Sequence, residues 1–343
     1  MKTRRLRLLS LLVVVGYLTA WGADCWAAAP AARGSLDLWT PAQLAESRNP
    51  AQARAERHIR QLPEPDMAAP ARTAPVEPAP ALPEAWRGII RRVNLSAGQR
   101  RVALTFDLCE RSVHVTGYDA RLVDALRAAN ARATFFAGGK WLRSHPERAL
   151  QLMADPRFEL GNHAWTHANM AVADSAERQR QAQWTSAQFE LLSEELDRRL
   201  AVHKLPEAHL RPLRLFRLPY GRGGTDVTRQ LNALGLAVIQ WDVVGEGGHG
   251  NALARAQAIA EAVRPGSIVL LHANAVPRDT AQVVRLLLPL LAKKGYATAT
   301  VSELLALGQP ETTDDGYFSI PGDNRIYDAM FLGHGTGPRA GKR

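Results

Sequence analysis

The chain has 343 residues, 46% of them hydrophobic and 22% charged, which excludes a disordered polymer and leaves room for one large core with attachments. Its net charge of +10 suits an anionic envelope, but no Lys/Arg stripe with interleaved aromatics is present, so nucleic acid is excluded as the main partner.

The first elements belong to targeting. Lys2, Arg4, Arg5 and Arg7 precede an apolar run from Leu8 to Ala20, and Ala27-Ala28-Ala29 offers a cleavage point. Residues 1–27 read as a secretory signal peptide, too short for a comfortable membrane span. An uncleaved anchor is the alternative, because Trp21, Asp24 and Trp26 disturb the cleavage region. Cutting after Ala27 leaves Cys109 as the single thiol, so no intramolecular disulfide forms in an oxidising compartment. The expectation is an exported protein, periplasmic or envelope-associated, with no stable membrane insertion unless the signal stays uncleaved.

Residues 28–61 form a polar, Ala-rich leader with one short helix begun by Thr40-Pro41, a cap followed by proline at the first helical position. Residues 62–86 hold seven prolines between Leu62 and Pro83 and read as a semi-extended linker that spaces the next domain from a membrane or wall. Residues 308–343, rich in Gly, Pro and Asp, read as a tail that either packs as a loop or is disordered.

Between these lies a domain over residues 87–307. Apolar runs at 102–106, 133–137, 158–161, 215–218, 237–241 and 268–271 read as strands, with a weaker one at 296–301. Helical segments at 120–129, 176–200 and 252–263, another after Thr280 and a last one at 302–307 alternate with them. Such alternation predicts an α/β fold with a parallel sheet of about seven strands under covering helices, closed as a barrel or open.

Polar residues cluster where these strands end: Asp107; Asn162 and His163 to His167; Arg217 to Gly221; Trp241-Asp242; Leu271-His272. In (β/α) barrels the carboxyl ends of the strands converge on one face, where catalytic groups gather. His163 and His167, four apart, are expected on one side of a helical turn, within reach of one divalent metal ion; two histidines and a carboxylate suit hydrolytic zinc. Arg217 can clamp and ionise a carboxylate. His272 emerges at the lip of the sheet after four apolar residues.

The segment from about Arg101 to Leu307 resembles the polysaccharide deacetylase (NodB homology) family. Thr105-Phe106-Asp107 is similar to its first motif, His163–His167 to its second with Ala164 in place of the hydroxyl residue, Arg217 to Gly221 to its third, and Leu270-Leu271-His272 to its fifth. The resemblance implies a distorted, incomplete (β/α) barrel and a metal-dependent hydrolase that removes N-acetyl groups from an amino-sugar polymer, with zinc as the metal and peptidoglycan or another N-acetylglucosamine glycan as substrate. It further implies Asp107 as general base, His272 as general acid, and Arg217 as the group that orients Asp107. The backbone N–H of Tyr220 would stabilise the oxyanion, and Trp241 and Leu271 would wall the acetyl pocket.

Two departures stand out. The family's second aspartate is Leu108 here, so the third ligand falls to Glu110, Cys109 or Asp107; Glu110 is preferred because export exposes a metal-site thiol to oxidation. The fourth motif is thin, leaving Asp242, or else Glu246, to support His272. Leu108 keeps a rival reading open, a degenerate glycan-binding domain without catalysis. Hydrolysis of a small cyclic amide in the cytoplasm is a third reading, which conflicts with the signal peptide.

Overall fold

The computed structural model describes residues 34–246 and 250–331; the expected signal peptide and the end of the tail lie outside these residues. The leader contains helices α1 (Pro41–Leu44) and α2 (Pro50–Glu56) and strand β1 (Arg60–Gln61). Thr40 caps α1 in a full capping box with Gln43. Then come β2 (Ile89–Leu95), β3 (Arg101–Leu108) and β4 (His114–Val115), which pairs with β1. Helix α3 (Ala120–Ala128), β5 (Ala133–Ala137), α4 (Gly139–Ser144), α5 (Pro146–Met153) and β6 (Phe158–Asn162) follow. The long α6 (Ser175–Val202) leads to β7 (Leu215–Phe216), α7 (Thr225–Ala233), β8 (Ala237–Ile239) and β9 (Val243–Val244). The chain continues through α8 (Ala252–Ala262), β10 (Ile268–His272), α9 (Thr280–Lys293), β11 (Ala297–Ala299) and α10 (Val301–Leu307), then β12 (Gly308–Thr313) and α11 (Ile326–Met330).

The main sheet runs in the order β12-β2-β8-β7-β6-β5-β3-β10-β9, with β11 also on β3. All its pairings are parallel except β12 on β2. The sheet curls until its two halves meet at a narrow seam, where Val93 N–H donates to Gly266 O at 3.0 Å and Arg92 bridges to Ser267. Gly266 is required there. Its φ is +82°, and a methyl group on it would sit 1.7 Å from Val93 O. The result is the expected incomplete barrel.

Strand alternation divides the core. Val102, Leu104, Phe106, Leu108, Val269 and Leu271 point outward, under the covering helices, into one apolar cluster. Ala103, Phe136, Ile239, Ile268 and Leu270 point inward, where Leu304 and Leu305 of α10 join them. Residues of inward parity at the carboxyl ends of β3 and β10 therefore face the barrel mouth.

The linker over residues 62–86 departs from expectation. The proline-rich stretch runs against the domain rather than away from it: Leu82 and Trp86 are buried, Arg72 pairs with Glu190 and Glu194, and the N–H groups of Val76 and Glu77 donate to Glu190. Upstream, Trp39 is buried with its indole N–H on Glu147, and Arg148 reaches Glu56 at 2.6 Å. The first part of the tail is also folded, as β12 and α11. Among the described residues no helix is long and apolar enough to cross a membrane.

Candidate active site

In register on the adjacent strands, Thr105 lies opposite Leu270 and Asp107 opposite His272. Both pairs share inward parity, so Asp107 and His272 meet at the mouth. Arg217, fully buried just after β7, holds Asp107: its Nη1 donates to Asp107 Oδ1 at 2.9 Å and to Thr105 Oγ1 at 2.7 Å. Its remaining nitrogens donate to Ile239 O and Gln240 O, and the guanidinium carbon lies 4.1 Å from the Phe136 ring centre. A guanidinium so satisfied is a fixed cation beside Asp107.

After Asp107 the chain turns Leu108 outward and returns Cys109 to the site. Cys109 Sγ is 3.4 Å from His163 Nε2, and the same nitrogen is 3.6 Å from Asp107 Oδ2. His163 Nδ1 lies 2.9 Å from the carbonyl of Arg217. A carbonyl only accepts, so Nδ1 carries a proton, and in the neutral imidazole Nε2 presents a lone pair to the site. His167 joins with its ring centre 4.8 Å from that of His163, and its Nδ1 is buried without a hydrogen-bond partner.

The two histidines meet without a helix. Ala164 and His167 take left-handed backbone conformations, φ +62° and +55°. Asn162 Oδ1 accepts from Ala164 N–H, Gln181 Oε1 from Thr166 N–H, and the first N–H groups of α4 donate to the carbonyls of Ala164 and Trp165. A methyl on Gly139 would fall 2.2 Å from the Trp165 ring, so glycine lets α4 approach this loop.

Ligand atoms of Cys109, His163 and His167 lie within 4.8 Å of one another, as do those of Asp107, Cys109 and His272. Two imidazoles and a thiol are a donor set that suits zinc. The residues fit a metal. Electrostatics agree: burial opposes charge on the Cys109 thiol, yet His167, His163 and His272 hold it well below the usual thiol range.

Glu110 is not part of either group. Its carboxylate, fully buried, accepts from Lys140 Nζ at 2.7 Å, Ser144 Oγ at 2.5 Å and Thr116 N–H at 2.9 Å. Thr116 Oγ1 and Asn274 Nδ2 in turn donate to Cys109 O at 2.8 and 3.0 Å. Glu110 thus anchors the loop that carries Cys109 rather than completing the ligand set. A buried ammonium requires that carboxylate as its counterion.

Asp242 is likewise displaced from its expected task. It accepts from Ser267 Oγ and Ile268 N–H, both at 2.8 Å, at the amino end of β10. Glu246 is the group at His272: Oε2 lies 2.6 Å from His272 Nδ1, while Oε1 accepts from His272 N–H and Thr280 Oγ1 at 2.8 Å each. Burial works against protonation of His272, but Glu246 and Cys109 raise its pKa well above the usual histidine value.

Of the expected pocket walls, Leu271 points outward into the helix-covered cluster, and Leu270 has the inward parity instead. Trp241 is buried, donating its indole N–H to Phe318 O at 3.1 Å, with the Arg217 guanidinium 5.5 Å from its ring. Tyr220 stands against His167, ring centres 4.5 Å apart, with φ +58°.

Residues 94–239 match the family model described as polysaccharide deacetylase. The chitooligosaccharide deacetylase of Azorhizobium caulinodans is 28% identical over 187 residues, covering 51% of this chain and 81% of that protein. Among solved structures, a mutant of a CE4 family pseudoenzyme from Bacillus anthracis is 24% identical, with a TM-score of 0.53 over 64% of this chain and 71% of the other. The peptidoglycan deacetylase PdaC from Bacillus subtilis is 23% identical, with a TM-score of 0.50 over 62% of this chain and 93% of its own. The two structures share the fold of this chain, and its residues 94–239 are similar in sequence to the polysaccharide deacetylase family.

Proposed function

We propose that this protein is a metal-dependent hydrolase that removes N-acetyl groups from an amino-sugar polymer, with peptidoglycan or another N-acetylglucosamine glycan of the cell envelope as its substrate. The observation that carries this reading is the meeting of Asp107, clamped by Arg217, with Cys109, His163, His167 and His272 at one barrel mouth. His163, His167 and Cys109 would hold the metal, with zinc the ion this donor set suits. When bound, such an ion supplies Lewis acidity, which makes water a nucleophile at neutral pH and polarises an acyl oxygen.

The chain's own groups supply the proton transfers. Arg217 orients Asp107 through one carboxylate oxygen, and Asp107 accepts the proton of the attacking water. The water oxygen bonds to the acetyl carbon, and the Tyr220 N–H would donate to the oxygen that gains charge. His272, kept protonated by Glu246, donates to the nitrogen as the carbon–nitrogen bond breaks, releasing acetate and a free amine. An export signal over residues 1–27 and the basic surface accord with an envelope substrate.

Leu108 in place of the family's second aspartate favours a second reading, a glycan-binding protein without catalysis. Acetate release separates the two. Zinc-loaded protein should release acetate from N-acetylglucosamine oligomers or peptidoglycan, and His272→Ala should retain zinc while losing turnover about 100-fold or more. Stoichiometric zinc with no acetate from any glycan would establish the second reading.

A further inference from the structure

The reaction site is completed from outside residues 94–239, the part that matches the family model. After β12 the chain crosses the barrel rim as a strap over residues 314–331. Gly316 N–H donates to Gly223 O at 2.9 Å, and Arg91, with Tyr317 stacked on its guanidinium, donates to the carbonyls of Tyr317 and Phe318. The strap then reaches the Tyr220 turn.

That turn needs support. Tyr220 and Gly221 are both left-handed, φ +58° and +61°. A bulky side chain adopts this conformation only where its surroundings impose it. Asn324, fully buried, imposes it: its Nδ2 donates to Tyr220 O and to Gly221 O, both at 2.9 Å. A methyl on Gly221 would lie 3.1 Å from the same nitrogen, and one on Gly316 would lie 2.2 Å from Gly221 O. On the next residue, Arg222 makes a two-point ion pair with Asp328, at 2.9 and 2.6 Å. The Tyr327 and Phe331 rings stand 5.0 and 4.9 Å from that of Tyr220, which also contacts His167.

We propose that Asn324 is a positioning residue for deacetylation: by gripping both carbonyls of the Tyr220–Gly221 pair, it aims the Tyr220 N–H at the acyl oxygen. This rests on the hydrolase reading above. Asn324 acts through the backbone and touches no reacting atom.

The test compares Asn324→Asp, which keeps the volume and removes the donor, with Asn324→Ala and with Asp328→Asn, which loosens the strap without opening a cavity. The probe is the N-acetylglucosamine pentamer, with zinc content measured alongside. The expected result is kcat lowered about tenfold or more in both Asn324 variants, with KM within about twofold and zinc unchanged. Hydrogen exchange should quicken in a peptide covering 217–224. Asp328→Asn should move kcat and exchange in the same direction by less, and it carries the test if the Asn324 variants fail to fold. Wild-type kcat in folded Asn324→Asp overturns the positioning role while leaving the hydrolase reading intact, as does a loss confined to KM or to zinc. No acetate from zinc-loaded wild-type protein overturns both.

Discussion

One residue decides how this site differs from the pattern of the family it resembles. Leu108 stands where the resembled family's motif has its second aspartate; strand parity turns it into the outer core, and Cys109 takes up the space beside His163. Its neighbour Glu110 was the preferred ligand on the sequence, but it is committed to Lys140. No sequence pattern announces that pair, because Lys140 comes from a separate helix thirty residues on. At His272 the deciding contact is Glu246. Its carboxylate favours the imidazolium, so His272 remains an acid above its ordinary value of about 6.5. The raised pKa gives stability that is fully present below about 6.5 and lost as pH rises through the folded value. In Glu246→Gln the alkaline limb of the kcat profile should therefore move toward lower pH. An unmoved limb, measured on zinc-loaded enzyme, would assign it to another group.

At the scale of elements, the barrel depends on one seam. Gly266→Ala places a methyl 1.7 Å from Val93 O in a left-handed position. It should destabilise the fold by about 3 kcal/mol or more, read as a lower urea midpoint; an unchanged midpoint would mean that the halves do not meet there. The interior strands were legible because β3, β5 and β10 are buried apolar runs. Strand β2 was not, since Ile89–Leu95 carries Arg91 and Arg92 at its centre; Arg91 is buried there because the strap supplies its carbonyl partners. Strand β12, Gly308–Thr313, is a polar edge without alternation. The four-residue histidine spacing predicts proximity, which the structure has, and a helical turn, which it lacks: Ala164 and His167 are left-handed, and the loop between them bonds to α4 and Gln181 through Ala164, Trp165 and Thr166. The Leu271 reading failed on parity alone.

At the scale of the molecule, the leader and the strap lie outside residues 94–239, and both are built onto the barrel. Trp39 of the leader and Leu82 and Trp86 of the linker are buried, so the prolines stiffen a wrapping segment here rather than a free spacer. Removing residues 34–86 should expose that apolar surface and lower the melting temperature by about 5 °C or more. A variant melting at the wild-type temperature would show the segment to be a spacer after all. At the mouth of the barrel, the proposed metal site has Cys109 where the resembled family has a carboxylate. Zinc X-ray absorption tests it most directly. The account predicts one sulfur near 2.3 Å with nitrogens at about 2.0–2.1 Å, the sulfur disappearing in Cys109→Ser. A wild-type spectrum of nitrogen and oxygen alone would contradict it.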